Sequence, residues 1–108
     1  MAMVLKTGQT YTFRGLAVGA PYAVIDQLNM NKNARVAHFV AEVWPEHMTA
    51  AERHQQPELL LEQRTYDVCN DEYSAAFNMV EMEASGGYAL AYAWLMTQPE
   101  WAAWESDE

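Results

Sequence analysis

Apolar and polar residues alternate along the first half of this chain and cluster in the second. That change of rhythm predicts strands first and helices afterwards. Residues 11–18 are rich in β-branched and aromatic side chains and stop at Gly19, so they read as one short strand. Pro21 opens a second run over residues 22–30. Asn31, Lys32 and Asn33 supply turn chemistry, because asparagine tolerates a positive φ. A third run covers residues 34–44, and the two runs with their turn predict a β-hairpin. Within the third run Ala37, Phe39, Ala41 and Val43 share a wholly apolar face, which is expected to pack on the core. Val36, His38, Val40, Glu42 and Trp44 share the opposite face, which is mixed and expected to be partly wet or at an interface.

Beyond Pro45 the signals turn helical. Thr49 and Glu52 stand three apart in a capping-box pattern, predicting a short helix over 50–55 that Pro57 closes. Residues 59–68 read as a fourth strand, and Asn70 or Asp71 is placed to cap a short helix over 72–77. Residues 79–85 fit neither period. Gly86 and Gly87 break the pattern, residues 88–97 form the main predicted helix, and Pro99 prevents its continuation. In that helix Tyr88, Ala91, Tyr92 and Leu95 make one stripe, and Leu90, Trp94 and Thr97 another. Apolar residues cover most of its circumference, so burial on more than one side is expected. One side meets the chain's own sheet. The other meets either Trp101 and Trp104 folding back or a partner, and on the partner reading their removal weakens assembly more than folding. The expected fold is α+β: a small antiparallel sheet of three to four strands built on the hairpin, with one short and one main C-terminal helix.

At 108 residues the chain reads as a single domain over 1–108, with an acidic, aromatic tail over 100–108. A 51% hydrophobic composition is enough for a core and excludes a disordered chain. Four tryptophans exceed what so small a core needs, and aromatic side chains are enriched at interfaces. Trp44, Tyr88, Tyr92, Trp94, Trp101 and Trp104 are therefore the candidate partner-binding residues. Cys69 is the only cysteine, which excludes an internal disulfide and suits a reducing compartment such as the cytoplasm. No signal peptide is expected, since Lys6 is followed by polar Thr7, Gly8, Gln9 and Thr10. The longest apolar run, residues 88–96, is nine residues long, against the roughly 20 that a membrane span needs.

Charge divides the chain unevenly. Residues 1–57 carry five cations against four carboxylates, a net of +1, whereas residues 58–108 carry Arg64 against eleven carboxylates, a net of −10. The total of −9 argues against direct nucleic-acid binding, which needs Lys and Arg on phosphates, and against anionic membranes. An acidic half loaded with Tyr and Trp suggests a surface for a protein partner.

No catalytic, cofactor or metal site emerges from the residue pattern. His47 and His54 stand seven apart, but His47 precedes the predicted cap at Thr49, and no HxxxH, HExxH or Cys/His cluster accompanies them or Glu46. His38 reads as a hydrogen-bonded, partly buried strand residue. Cys69 precedes Asn70 and Asp71, and a neighbouring carboxylate dulls a thiol, so it reads as structural. The carboxylates, Glu81 and Glu83 among them, read as a solvated face. Gly86-Gly87 lacks a following lysine and lies in acidic surroundings, which disfavours a phosphate cradle.

The segment order and several short motifs resemble a group of small proteins of about this length encoded by tailed bacteriophages and prophages. The motifs are Ala91-Tyr92-Ala93-Trp94-Leu95 and Gln98-Pro99-Glu100-Trp101, preceded by Arg64-Thr65-Tyr66 and the stretch from Tyr73 to Phe77. The resemblance extends from about residue 8 onward. Met96 departs from it, standing where a lysine is common, which makes the helix more apolar than its relatives. The resemblance implies a phage origin, often near virion or tail genes, and carries no catalytic residues. The expected function is thus that of a non-enzymatic, virion- or tail-associated structural or interaction protein. It is made in the bacterial cytoplasm and binds itself or another phage protein, a homo-oligomer being one such form. The alternative is a small acidic phage inhibitor of a host defence or regulatory protein, acting as a nucleic-acid mimic.

Overall fold

Strand β1 (Met3–Leu5) opens the computed structural model, which describes residues 2–107. Residues 1 and 108, the ends of the expected domain and of its acidic tail, lie outside the described residues. The single strand expected over 11–18 is two, β2 (Tyr11–Phe13) and β3 (Leu16–Val18), paired with Tyr11 opposite Val18. Arg14 (φ 53°) and Gly15 (φ 82°) both adopt left-handed backbone, the turn whose twist suits a two-residue hairpin, so the chain reverses within the run.

The central hairpin forms as the alternation predicts, from β4 (Tyr22–Asn31) and β5 (Val36–Trp44). Its turn differs in detail. Asn31 accepts a hydrogen bond from the Ala34 amide at 3.0 Å, and the positive φ falls on Arg35 (52°). Strand β5 consequently begins at Val36. Strand β4 also carries a bulge between Asp26 and Asn29, with Gln27 at φ 53°. Ile25 and Met30 are five apart and would face opposite ways on a regular strand. The bulge adds one residue, so Ile25 lies opposite Ala41 and Met30 opposite Ala37, on the same face.

Helix α1 (Ala50–Gln55) carries the expected capping box. The Thr49 hydroxyl accepts from the Glu52 amide at 3.2 Å, and the Glu52 carboxylate accepts from the Thr49 amide at 2.9 Å. A 3₁₀ turn at Pro57–Leu59 delays the next strand, β6, to Glu62–Cys69. Helix α2 (Asn70–Ala76) starts earlier than expected, with Cys69 at its cap and no side-chain capping bond from Asn70 or Asp71. The ambiguous residues form α3 (Met79–Ser85), capped by Asn78, whose side-chain oxygen accepts from the Glu81 amide at 2.9 Å. Helix α4 (Gly87–Leu95) follows, then a 3₁₀ turn at Pro99–Trp101 and strand β7 (Trp104–Ser106).

The α+β class stands, with more elements than expected. The main sheet has five antiparallel strands in the order β6-β5-β4-β1-β7, and β2–β3 form a separate pair. Among the described residues four α-helices replace the one short and one main helix. The extra sheet strands are the chain's two ends, zipped together with Met3 opposite Ser106 and Leu5 opposite Trp104. Three-residue strands are too short to show a period of two, and so they left no pattern in the sequence.

Ala37, Phe39, Ala41 and Val43 are buried, as their face predicts. They pack with Ile25 and Val68 against Tyr73 of α2, Phe77 just beyond its end, and Ala91, Tyr92 and Leu95 of α4. The opposite sheet face is covered at one end only, where Tyr22, Val24 and Trp44 pack with Met48, Leu59 and Leu60 around α1. Among the described residues no helix is long and apolar enough to cross a membrane.

Candidate protein-interaction surface

The aromatic residues singled out by sequence divide sharply in space. Trp101 and Trp104 are 2% and 5% exposed, and their rings lie 5.4 Å apart in the main core. The fold-back reading therefore holds for both: pairing of β7 with β1 carries the tail across the sheet edge and seats its indoles inside. Trp101 donates to the Tyr66 hydroxyl at 2.7 Å, and Tyr66 in turn donates to Glu100 at 2.9 Å. Trp44 is buried in the second cluster, 3.4 Å from the Glu42 carboxylate. Tyr92 is buried and accepts from the Ile25 amide at 2.8 Å. Trp94 is half-buried, edge-on to Phe39 and Tyr66, and donates to Glu72 at 2.9 Å. Tyr88 alone stands well out, at 49% exposed. The indole N–H groups of Trp44, Trp94 and Trp101 are thus satisfied within the chain, as burial of an indole favours.

The histidines are dispersed. His38 shares a hydrogen bond with Asp67 at 2.7 Å on the open sheet face, where the register sets them directly opposite. His47 packs edge-on against Tyr22 at 4.7 Å. Glu42 lies between strands beside Asp26, and its carboxyl is raised first by burial and then by the Asp26 charge. Cys69 is exposed. Among the described residues no group of three or more His, Cys, Asp or Glu is placed to hold a metal ion.

Two of the most exposed large apolar side chains adjoin each other on residues the sequence pattern did not single out. Met79 and Val80, in the first turn of α3, are 65% and 76% exposed. The helix starts there because Asn78 caps it, and its outward side has no neighbouring element to cover it. Beside it lies an open groove of about 490 Å³, with Tyr73, Phe77, Met79 and Met82 on the apolar side and Lys32 and Arg35 from the hairpin turn on the other. Met30, 36% exposed, packs against the start of α4 at Gly87, and Tyr88 lines a separate groove with Tyr22, His47 and Arg53.

The electrostatics of this surface are mixed. Lys32 and Arg35 are two of only six Lys and Arg residues. Arg35 makes one loose pair with exposed Asp71 at 3.9 Å, and Lys32 makes no ion pair among the described residues. Glu81 and Glu83 stand on α3, and Glu83 lines the groove. One signal for this surface was present in sequence: Asn78 and Glu81 have capping spacing immediately around Met79-Val80. The exposure of those two residues was not, because it depends on where α2 and α4 pack.

Comparison with models of known protein families, with curated proteins and with solved structures finds no match to the chain.

Proposed function

We propose that this is a non-enzymatic protein encoded by a phage or prophage, associated with the virion or tail, that works through protein–protein contact. The motif resemblance supplies the phage context. The observation that carries the contact reading is the exposure of Met79 and Val80 beside an apolar groove rimmed by charge of both signs. A small domain gains nothing for its own stability from such a surface, and exposed apolar patches rimmed by polar residues mark interaction sites. Two other features agree. The β2–β3 hairpin holds Leu16 at 74% exposed, and β6 is an eight-residue edge strand. The protein is made in the host cytoplasm and carried into the particle.

The experiment is quantitative mass spectrometry of particles purified from an induced host. A fixed copy number per particle is expected. Recovery of the protein solely in the soluble lysate, with none in particles, contradicts the virion role and favours the acidic-inhibitor reading. In that case it should bind a basic host protein with steep salt dependence.

A further inference from the structure

We infer that the α3 surface is a self-docking site, and that its occupant is α3 of a second copy of this chain, joined by a two-fold axis. The inference deepens the reading above, taking from it only that the protein works by binding protein.

The groove asks for a segment with apolar anchors to meet Met79 and Met82 and carboxylates to meet Lys32 and Arg35. Helix α3 is such a segment. It presents Met79 and Val80 to solvent and carries Glu81 and Glu83, neither of which pairs with a cation among the described residues. Donor and acceptor of the contact thus lie on one patch. That is the requirement for an isologous interface, in which residue i meets j and j meets i. Charge strengthens the choice of a second copy. The protein as a whole carries −9, so two copies repel over most of their surfaces. Here, two cations of one copy can face two carboxylates of the other, twice over. Methionine suits the role, since its flexible thioether adapts to a facing surface.

Size decides how much of the patch takes part. A standard interface takes about 800 Å² from each partner, roughly an eighth of this protein's 6595 Å² surface. Helix α3 is seven residues, about 10 Å long, and is too small alone. The hairpin turn at Lys32 and Arg35 and α2 at Tyr73 and Ser74, which line the same groove, must therefore take part as well.

Sedimentation equilibrium on the full chain tests this, with wild type, Val80→Glu, the double variant Lys32→Glu/Arg35→Glu and the double variant Glu81→Lys/Glu83→Lys. All five positions are exposed, and circular dichroism checks that each variant folds. Wild type is expected to form a dimer whose dissociation constant rises with salt. Val80→Glu is expected to weaken it at least tenfold. Each charge variant alone is expected to be monomeric, because like charges then face across the axis. An equimolar mixture of the two charge variants should form a heterodimer, since both contacts again join opposite signs. A wild type that stays monomeric at all concentrations overturns the inference, as does a dimer indifferent to these variants or a mixture that fails to associate. Presence in particles is scored separately, so a monomer found in virions sinks only the self-docking, and a dimer absent from virions sinks only the virion role.

Discussion

Tyr92 joins helix to sheet at a point where the sheet runs out of strand. Strand β1 pairs with β4 only at Tyr22 and Ala23, so the Ile25 amide on that edge has no strand partner, and the Tyr92 hydroxyl supplies one. Tyr92→Phe leaves that amide unpaired in a buried place, a loss of about 1–3 kcal/mol expected in denaturant unfolding. A change of under about 0.5 kcal/mol contradicts the assignment. The tyrosines also set the alkaline limit of the fold. Tyr11, Tyr22, Tyr66 and Tyr92 are all raised above the usual phenol value, burial being the largest cause in each. Tyr11 is pushed up to about 12, burial being reinforced by its hydrogen bond to Glu62 and by that carboxylate's charge. A phenol whose folded pKa is raised adds stability that is complete below its unfolded value, near 10, and is lost as pH rises through the folded value. Stability is therefore expected to fall between pH 10 and 12, with phenolate absorbance in the folded protein lagging that of the unfolded chain. Phenols that all titrate at the unfolded value, with no loss of stability, contradict this.

Among the elements, legibility followed the reach of local rules. The β4–β5 hairpin announced itself because ten and nine residues are long enough to show alternation. Helix α1 announced itself because a capping box lies wholly within four residues. Thr49→Ala removes the hydroxyl that accepts the Glu52 amide and is expected to cost about 1 kcal/mol, seen as faster hydrogen exchange through α1. Unchanged exchange there speaks against the cap. The β2–β3 turn stayed hidden because Arg14-Gly15 lacks the Asn-Gly signature, and residues on either side continue one alternating run. Only its backbone, with two consecutive positive φ values, reveals the reversal. Gly15→Val is expected to loosen that hairpin by about 1 kcal/mol, because a side chain at φ 82° is strained. Nuclear magnetic resonance reads this as loss of the cross-strand contact between Tyr11 and Val18, and its persistence is the contrary result. The bulge in β4 was hidden for the same reason, since Gln27 carries no sign that it adopts a left-handed backbone.

At the scale of the whole molecule, composition pointed to side chains that the fold largely buries. Six aromatic side chains looked like interface residues, yet five of them are wholly or partly buried against the chain's own packing and Tyr88 alone is exposed. The reason is topological. Pairing of the two chain ends turns an apparent tail into an edge strand and brings Trp101 and Trp104 over the core, which no local pattern encodes. Removing a buried tryptophan costs about 3–5 kcal/mol, so Trp101→Ala with Trp104→Ala consumes most of a small domain's stability of about 5–15 kcal/mol. Loss of the cooperative thermal transition is expected for the double variant, and a folded, stable double variant contradicts the core assignment. Met79 and Val80 of α3, on residues that sequence left without a structure, stay outside, as do Leu16 and Tyr88. The proposed self-docking of two copies rests on the α3 face. Hydroxyl-radical footprinting across a concentration series tests it most directly, because it reads Met79, Met82 and Leu16 in one experiment. Protection that grows with concentration at Met79 and Met82 while Leu16 stays reactive is the expected result. Protection confined to Leu16, or none anywhere, contradicts self-docking through α3.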